Sequence, residues 1–470
     1  MVFSSPIFLF AFLPLVLLVY FFAPEKFKNI VLLIFSLFFY AWGEPIYVFV
    51  MLLVIWLAYK AGLLIEKYQE YKKVTTLISS LAIISVLIYF KYTDFFIITF
   101  NDLSNEDLPL LKIIMPIGIS FYIFQSVSYI IDVYRKTSSA QHSFIKMALY
   151  ISFFPQLIAG PIVKYHDIEK YLEKRTNNLN NVVLGMKRFI YGLGKKVLIA
   201  NTLGKVADDI FKIGPSGIDP SVAWLGSLAY TFQIFFDFSG YSDMAIGLGR
   251  MFGFKILENF NYPYMAKSIT DFWRRWHISL STWFKEYVYI PLGGNRVSDF
   301  KIYRNLIIVF ALTGFWHGAN WTFIAWGLWH GAFLIIEKNQ KFKMNNGLVK
   351  SFLGWLYTSF IVVFGWVLFR ADNIQVAYNY MLKMLGIGSS VGQFPLMYYL
   401  NNKIILAFAI AVFCSLPIAT KSFDLLLRTE KNLVAEIKVV LENSFVIAIL
   451  FLSIMYIAGS TYNPFIYFRF

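Results

Sequence analysis

The chain has 470 residues, of which 58% are hydrophobic and only 15% are charged. A soluble domain cannot hide so much apolar surface in one core, so the composition excludes an ordinary soluble protein and indicates a lipid bilayer as the solvent. The net charge of +15 is concentrated in short connections, as expected where cytoplasmic loops face anionic membrane lipids. No soluble basic domain carries this charge, which argues against a nucleic-acid partner.

Apolar stretches of the length of a membrane helix follow one another along the whole chain. A spanning helix needs about 20 largely apolar residues. The stretches of this kind are 6–23, 30–66 (divided in two at Gly43-Glu44-Pro45), 75–100, 111–133, 145–163, 221–249, 303–336, 352–370, 403–420 and 444–459. We therefore predict an all-α, polytopic membrane protein with roughly ten or more membrane helices, some of them short or re-entrant. The polar stretches 101–110 and 166–182 are predicted to be loops, which leaves a single membrane domain over residues 1–470.

The segment 270–286 breaks this pattern, because it mixes three tryptophans with two adjacent arginines, a histidine, a lysine and two acidic residues. Such a segment cannot cross lipid as an ordinary span. We predict an interfacial or re-entrant helix, with its aromatic rings at headgroup depth and its charges facing water or a protein cavity.

Histidine is scarce, and its five positions are therefore informative. His142 and His166 lie in polar connections and are expected to be solvated loop residues. His317 lies between two membrane-like stretches, where an ionisable group is costly unless it faces a cavity. It is either a buried histidine hydrogen-bonded between helices or a general base, since a neutral imidazole can take a proton from an attacking hydroxyl.

The two remaining histidines lie on either side of His317 in the sequence. His330 follows it by thirteen residues, a spacing that does not place two side chains on one helix face, and Gly318 is expected to break the helix between them, so we expect a structural or supporting residue. His277 precedes His317 by forty residues, and only the fold can bring the two together. Seven of the twelve tryptophans fall between Trp273 and Trp329, and both an interfacial aromatic belt and a lined tunnel explain them.

Two carboxylates, Asp237 and Asp243, lie inside the apolar stretch 221–249. Carboxylates at membrane depth are a functional hypothesis by default. They could orient a histidine, pair with Arg250 or Arg274, or tie helices together. From these residues alone, a transporter or channel that relays protons is an alternative to an enzyme.

The single cysteine, Cys414, has no partner, which excludes disulfides and cysteine-rich metal sites. No metal-ligand spacing, phosphate-binding loop, dinucleotide fingerprint or nucleophile elbow occurs in the sequence. We therefore expect neither a bound metal nor a bound cofactor.

Several motifs resemble those of one enzyme family. The most specific are DFWRRWHISLS at 271–281, YIPLGGNR at 289–296 and GFWHG at 314–318, supported by FDFSGYSDM at 236–244, PIGISF at 116–121 and FPQLIAGP at 154–161. At these positions the sequence resembles the membrane-bound O-acyltransferase (MBOAT) family, and within it the bacterial branch that O-acetylates cell-surface polysaccharides such as alginate and peptidoglycan. The resemblance covers nearly the whole chain, with a signature core over about 111–336.

The resemblance implies roles for individual residues. His317 would be the catalytic histidine and His277 the second signature histidine, both lining a tunnel through a helical core. The other expected tunnel or supporting residues are Asp237, Asp243, Trp276, Trp316, Arg274, Arg275, Asn320 and His330.

The resemblance also implies a reaction. Acetyl groups, with acetyl-CoA as the donor, would cross the bacterial cytoplasmic membrane and be delivered to an envelope polysaccharide. The transfer would involve an extracytoplasmic SGNH-type transferase or esterase partner. The alternatives are a D-alanyl or lipid-alcohol acyltransferase of the same fold, and a proton-coupled transporter in which His277, Asp237 and Asp243 relay protons.

The chain ends in a tail, 460–470, that contains NPFIYFRF. This tail is similar to the FxYxxF terminus of the small acyl-carrier peptide of the D-alanylation system. By that resemblance Tyr467 is a possible acyl carrier, which would divide one trans-membrane transfer into two steps. The alternative is a tyrosine that anchors the last helix at the membrane interface.

Overall fold

The computed structural model describes residues 1–339, 347–388, 392–417 and 432–464, and within these ranges the chain is helical and contains no strand. The α-helices are α1 (Leu13–Phe22), α2 (Lys28–Ala41), α3 (Val48–Lys67), α4 (Lys72–Ser104), α5 (Ile119–Arg135), α6 (Phe144–Ser152), α7 (Phe154–Leu157), α8 (Tyr165–Glu173), α9 (Leu179–Gly194), α10 (Asn201–Ile213), α11 (Pro220–Met251), α12 (Ile269–Arg275), α13 (Ile278–Phe284), α14 (Asp299–His317), α15 (Trp321–Asn339), α16 (Leu348–Arg370), α17 (Ile374–Met384), α18 (Leu396–Tyr399), α19 (Asn402–Cys414) and α20 (Asn432–Gly459). Short π-helical segments lie at Phe8–Phe12, Lys195–Ala200 and Lys285–Tyr289, and 3-10 turns at Glu25–Phe27, Pro215–Gly217 and Pro263–Met265.

Four helices of the described residues are long and apolar enough to cross a membrane: Val48–Lys67, Lys72–Ser104, Leu348–Arg370 and Val439–Gly459. Two shorter apolar helices cover Phe8–Phe22 and Asn402–Cys414. In the most apolar 18-residue part of α4, only 11% of the residues are buried, so most of the hydrophobic surface of this helix requires lipid. These observations confirm the predicted all-α membrane protein. The predicted number of membrane helices, roughly ten or more, stays a prediction.

Helix breaks follow the expected residues in some places and not in others. The chain leaves the helical conformation at 42–47, as the Gly43-Glu44-Pro45 break predicts. The stretch 111–133 is helical only from Ile119, because Pro116 and Gly118, with φ of +76°, precede the helix. The stretch 145–163 forms two short helices, α6 and α7, instead of a span.

The prediction of a loop over 166–182 is wrong for most of its length. Residues up to Glu173 belong to α8, and α9 begins at Leu179. Helix α8 forms because Tyr165, Ile168 and Leu172 recur at the spacing of one helix face, and all three are buried. The high charge of the stretch favours a loop, but the helical period of its apolar residues decides its structure.

The chain divides into two compact units, the first comprising residues 1–189 and 242–257 and the second residues 190–241 and 258–470. In the first unit, the buried Tyr20 hydroxyl donates to the carbonyl of Phe252 at 2.9 Å. The same oxygen accepts from Arg175 Nε at 2.9 Å and from Asn177 Nδ2 at 2.8 Å. The single membrane domain stays a prediction.

In the second unit, α14 and α15 form an antiparallel pair in close contact. A Cβ atom on Gly314 would lie 2.2 Å from the carbonyl oxygen of Phe323, and one on Gly327 would lie 2.1 Å from that of Phe310. Small residues are needed wherever two helix backbones approach so closely. The pair matters because α14 ends at His317 and α15 carries His330.

Replacement of Gly327 by alanine is therefore expected to destabilise the protein. The new methyl group meets backbone atoms, which cannot move aside as a flexible side chain can, and overpacking of this kind costs about 1–3 kcal/mol. Gly459→Ala is the matched control, because no described atom outside its own helix lies within 4 Å of the position that its Cβ would occupy. Thermal unfolding in detergent should show a lower Tm for Gly327→Ala than for Gly459→Ala, and equal values would contradict the close packing of α14 and α15.

Candidate active site

His317 is the last residue of α14, where Gly318 leaves the helix in an extended conformation. Its side chain is 7% exposed and lies among aromatic rings. The ring centroid is 4.8 Å from that of Trp316, 5.1 Å from Trp326 and 5.1 Å from Phe369. The predicted break at Gly318 is confirmed, and it places an ionisable group inside an apolar setting.

His277 lies at the break between α12 and α13, so the segment 270–286 forms two short helices rather than one. The residue is fully buried, and its ring centroid is 4.6 Å from Phe238 and 6.2 Å from Trp316. Trp316 is also the neighbour of His317. The fold therefore brings His277 and His317 into contact with one tryptophan, a convergence that their forty-residue separation could not predict.

Hydrogen bonds hold the His277 ring through one nitrogen. Its Nδ1 lies 3.2 Å from Asn259 Oδ1, whereas its Nε2 has no hydrogen-bond partner within the described part of the chain. Burial lowers the pKa of His277 to about 3, so the ring is neutral at pH 7. A neutral, fully buried imidazole with one available nitrogen is suited to exchange hydrogen bonds or protons with a bound substrate.

His330 is also fully buried, in the middle of α15. Its ring centroid is 5.3 Å from that of Trp273 and 5.2 Å from that of Trp326, which also contacts His317. Neither ring nitrogen has a hydrogen-bond partner among the described residues. Sequence spacing gave no reason to place His330 near His317, but the Trp326 ring is packed against both.

The other two histidines differ from each other. His142 is exposed and its Nε2 lies 2.8 Å from Glu66, which agrees with a solvated loop residue. His166 is not in a loop, because it belongs to α8 and its Nδ1 lies 3.1 Å from the buried Asp132. The prediction of a loop is therefore wrong for His166, whereas its exposed side chain agrees with a solvated residue.

Asp237 and Asp243 both form ion pairs. Asp237 lies 2.7 Å from Lys196 Nζ, with both side chains almost completely buried in the second unit. Asp243 lies 2.6 Å from Arg188, within the first unit. The sequence analysis did not identify Lys196 as a partner of Asp237. A lysine next to the apolar run 197–200 was the sequence signal that could have indicated it.

The arginines that the sequence offers as partners of these carboxylates lie elsewhere. Arg250 Nε donates to Asn181 at 3.4 Å, and Arg274 is exposed at the end of α12. Arg275 forms an ion pair at 2.8 Å with Asp271, one turn earlier on the same helix. The predicted ion pairs with Arg250 or Arg274 are therefore wrong. Asp237 and Asp243 pair with Lys196 and Arg188 instead.

The remaining predicted residues have structural contacts. Trp276 is buried and its ring centroid is 4.8 Å from that of Trp366. Asn320 accepts the Thr322 N–H at 2.9 Å and donates to the Asp372 carbonyl at 2.9 Å, so it holds the start of α15. Their proposed place in a tunnel remains a prediction.

A buried carboxylate that sequence reasoning missed orients the helix before His277. Glu337 accepts the N–H groups of Ile269 and Thr270 at 2.5 and 2.9 Å, and the Thr270 hydroxyl at 2.7 Å. A carboxylate at this end satisfies the free amides of α12 and is favoured by the helix dipole. The sequence signal for Glu337 was its position as a lone acidic residue directly after the apolar stretch 303–336.

The stretch before the C-terminal motif is held by α10 and its neighbours in the second unit. The Tyr462 hydroxyl donates to Asp208 at 2.7 Å, and Asp208 also pairs with Arg370 at 2.8 Å. Lys196 Nζ donates to the carbonyl of Pro464. Tyr467 itself lies outside the described residues.

The family model of the membrane-bound O-acyltransferases matches residues 34–381, a range that contains His277, His317 and His330. The chain belongs to the membrane-bound O-acyltransferase family. It is therefore a membrane acyltransferase, as the motifs predict, and the two histidines that meet at Trp316 are part of the family region.

Similar proteins extend this match over the whole chain. A protein of Azotobacter vinelandii named probable alginate O-acetylase AlgI is 45% identical over 83% of this chain and 79% of its own length. One with the same name from Pseudomonas putida is 39% identical over the full length of both chains. A peptidoglycan O-acetyltransferase of Helicobacter pylori is 40% identical over 82% of this chain and 80% of its own length.

Proposed function

We propose that this protein is an O-acetyltransferase of the bacterial cytoplasmic membrane that moves acetyl groups from acetyl-CoA to an envelope polysaccharide, either alginate-like or peptidoglycan. The observation that carries the proposal is the convergence of His277 and His317 on Trp316, in a chain similar to proteins named for alginate and peptidoglycan O-acetylation. Both histidines are almost completely removed from solvent, as a site that handles a reactive thioester requires.

The proposed chemistry assigns proton transfer to His317. Its imidazole takes the proton of an acceptor hydroxyl as the hydroxyl oxygen attacks the acetyl carbonyl carbon. The tetrahedral intermediate then collapses, the carbon–sulfur bond breaks, and the proton passes to the leaving thiolate. His277 holds one of the reacting groups by hydrogen bonding, and the aromatic rings around both histidines exclude water.

We further propose that Tyr467 is the first acceptor. The docking of Tyr462 on Asp208 and of Pro464 on Lys196 supports this, because it holds the chain three residues before Tyr467 against the second unit. Tyr467 would then hand the acetyl group to an extracytoplasmic SGNH-type partner, which delivers it to the polysaccharide.

The carrier role makes a direct prediction. Tyr467→Phe should abolish acetylation of the polysaccharide, because the variant lacks the oxygen that would form the ester, while leaving the amount of folded protein unchanged. Tyr398→Phe, an exposed tyrosine on α18, is the control. The measurement is ester-linked acetate in the isolated polymer, and wild-type acetylation by Tyr467→Phe would end the carrier proposal.

The substrate class is tested in a bacterial strain that lacks its own copy of this protein. The gene is returned, and esters are measured separately in exopolysaccharide, peptidoglycan, teichoic acid and lipid. Restored acetyl esters on either of the first two polymers are the expected result. D-Alanyl esters or lipid esters would move the assignment to the related acyltransferases, and restored substrate flux without any ester would favour the transporter.

A further inference from the structure

Asn259 contacts the His277 ring and forms hydrogen bonds with the two residues that follow it. It is 1% exposed and lies in the connection between α11 and α12. Its carbonyl accepts the N–H of Ile278 at 3.0 Å, and its side-chain Oδ1 accepts the N–H of Ser279 at 3.1 Å and the Ser279 hydroxyl at 2.9 Å. The same Oδ1 lies 3.2 Å from His277 Nδ1.

These contacts determine which histidine nitrogen carries the proton. A backbone N–H only donates, so the Asn259 atom that faces Ser279 N is the oxygen of the amide and not its nitrogen. The Ser279 hydroxyl also lies near Nδ1, at 3.5 Å, but it donates to Asn259 Oδ1 at the shorter distance of 2.9 Å. Because the amide oxygen can only accept, its 3.2 Å contact with Nδ1 favours the ring form in which Nδ1 is protonated. In a neutral imidazole, Nε2 then carries a lone pair and is a hydrogen-bond acceptor.

The same contacts hold His277 in an uncommon backbone conformation. Its φ of 44° and ψ of 55° lie in the left-handed region, which non-glycine residues rarely adopt because it is strained. The two backbone amides that follow His277 both donate to Asn259. One residue thus stabilises both the turn that carries the histidine and the protonation of its ring.

We propose that Asn259 is a positioning residue for acyl transfer, which keeps His277 in the Nδ1–H form so that Nε2 accepts a hydrogen bond from the hydroxyl or thiol that reacts. The inference rests on the proposed acyl-transfer site. It assigns the two histidines different tasks, with His277 holding a proton donor and His317 removing the proton. Asn259 lies between the motifs FDFSGYSDM at 236–244 and DFWRRWHISLS at 271–281 and belongs to neither.

The groups around His277 make a pH measurement informative. The rings packed on it, Phe238 of α11 and Trp316 of α14, do not titrate. Asp237, next to Phe238, is paired with Lys196. His317 lies next to Trp316. The elements around His277 also carry other charged residues, all unchanged in the variants below: Asp243 and Arg250 on α11, Asp271, Arg274 and Arg275 on α12, and Asp299, Lys301 and Arg304 on α14.

The test compares Asn259→Leu and Asn259→Asp with the wild type in reconstituted full-length protein, with kcat/KM for acetyl-CoA measured across pH. Leucine has no acceptor, so Nδ1 loses its partner and kcat/KM should fall about 10- to 100-fold. Aspartate keeps the acceptor and adds a negative charge that favours the imidazolium, so the acid limb of the profile should move to higher pH. Asn373→Leu, which removes the N-cap of α17 but touches no histidine, is the control.

Each outcome decides the matter. A large loss in Asn259→Leu together with an upward shift of the acid limb in Asn259→Asp supports the positioning role. If Asn259→Leu stays within about threefold of the wild type, or if the acid limb of Asn259→Asp does not move, the role is wrong. If Asn259→Leu does not fold, the acid limb of Asn259→Asp alone decides. Absence of acyl transfer by the wild type would instead overturn the proposed function itself, so the two failures are distinguishable.

Discussion

Replacement of His317 by alanine is expected to reduce acetyl transfer by about 10²- to 10⁴-fold, the usual contribution of a general base. The imidazole is 7% exposed and is surrounded by Trp316, Trp326 and Phe369, so no bulk water can replace it easily. The measurement is label transferred from acetyl-CoA per folded molecule in proteoliposomes.

Two further variants separate proton transfer from packing. His317→Gln keeps most of the side-chain volume but has no group that titrates near neutral pH, so it should be as inactive as the alanine variant. His142→Ala removes an exposed histidine paired with Glu66 and should retain wild-type transfer. Activity in His317→Gln near that of the wild type would show that the residue serves packing alone.

Separation of the Lys196–Asp237 ion pair is expected to have the largest effect on stability. Both side chains are almost completely buried, and removing one partner leaves a charge without compensation, which costs about 3–5 kcal/mol. Lys196→Met and Asp237→Leu should each lower the Tm sharply. The double variant should lose much less than the sum of the two, because an apolar pair of similar volume replaces the charges.

The same pair also links stability to the C-terminal stretch. Lys196 donates to the carbonyl of Pro464, so Lys196→Met should release Pro464 and lower acetylation even where the double variant restores the Tm. Lys205→Met, at an exposed lysine on α10, is the matched control. If the Tm of the double variant falls by the sum of the two single-variant decreases, Lys196 and Asp237 are not coupled.

The parts of the fold that were predictable depend on local signals. Gly43-Glu44-Pro45 and Gly318 interrupt helices because glycine and proline act on the backbone next to them. The motif around His277 identified the family, and the structure then placed its histidine at a helix break. The prediction for the polar stretch containing α8 is wrong, because charge is a weaker signal there than the period of the apolar residues.

The site itself depends on contacts between distant residues, which local signals do not contain. Lys196 and Asp237 are 41 residues apart, and His277 and His317 meet at Trp316 only through the packing of the second unit. Asn259 gives no signal in the sequence, because a lone asparagine in a connection is common. The role proposed for it rests on geometry around His277 that a sequence pattern does not express.

The most direct test of the account is intact-protein mass spectrometry after incubation of proteoliposomes with acetyl-CoA, comparing the wild type with His317→Ala. We predict that the wild type gains the mass of one acetyl group, that fragmentation places it on Tyr467, and that the adduct is missing in His317→Ala. If the partner and the acceptor are also supplied and no component is acetylated in a His317-dependent way, acyl transfer by this site is contradicted.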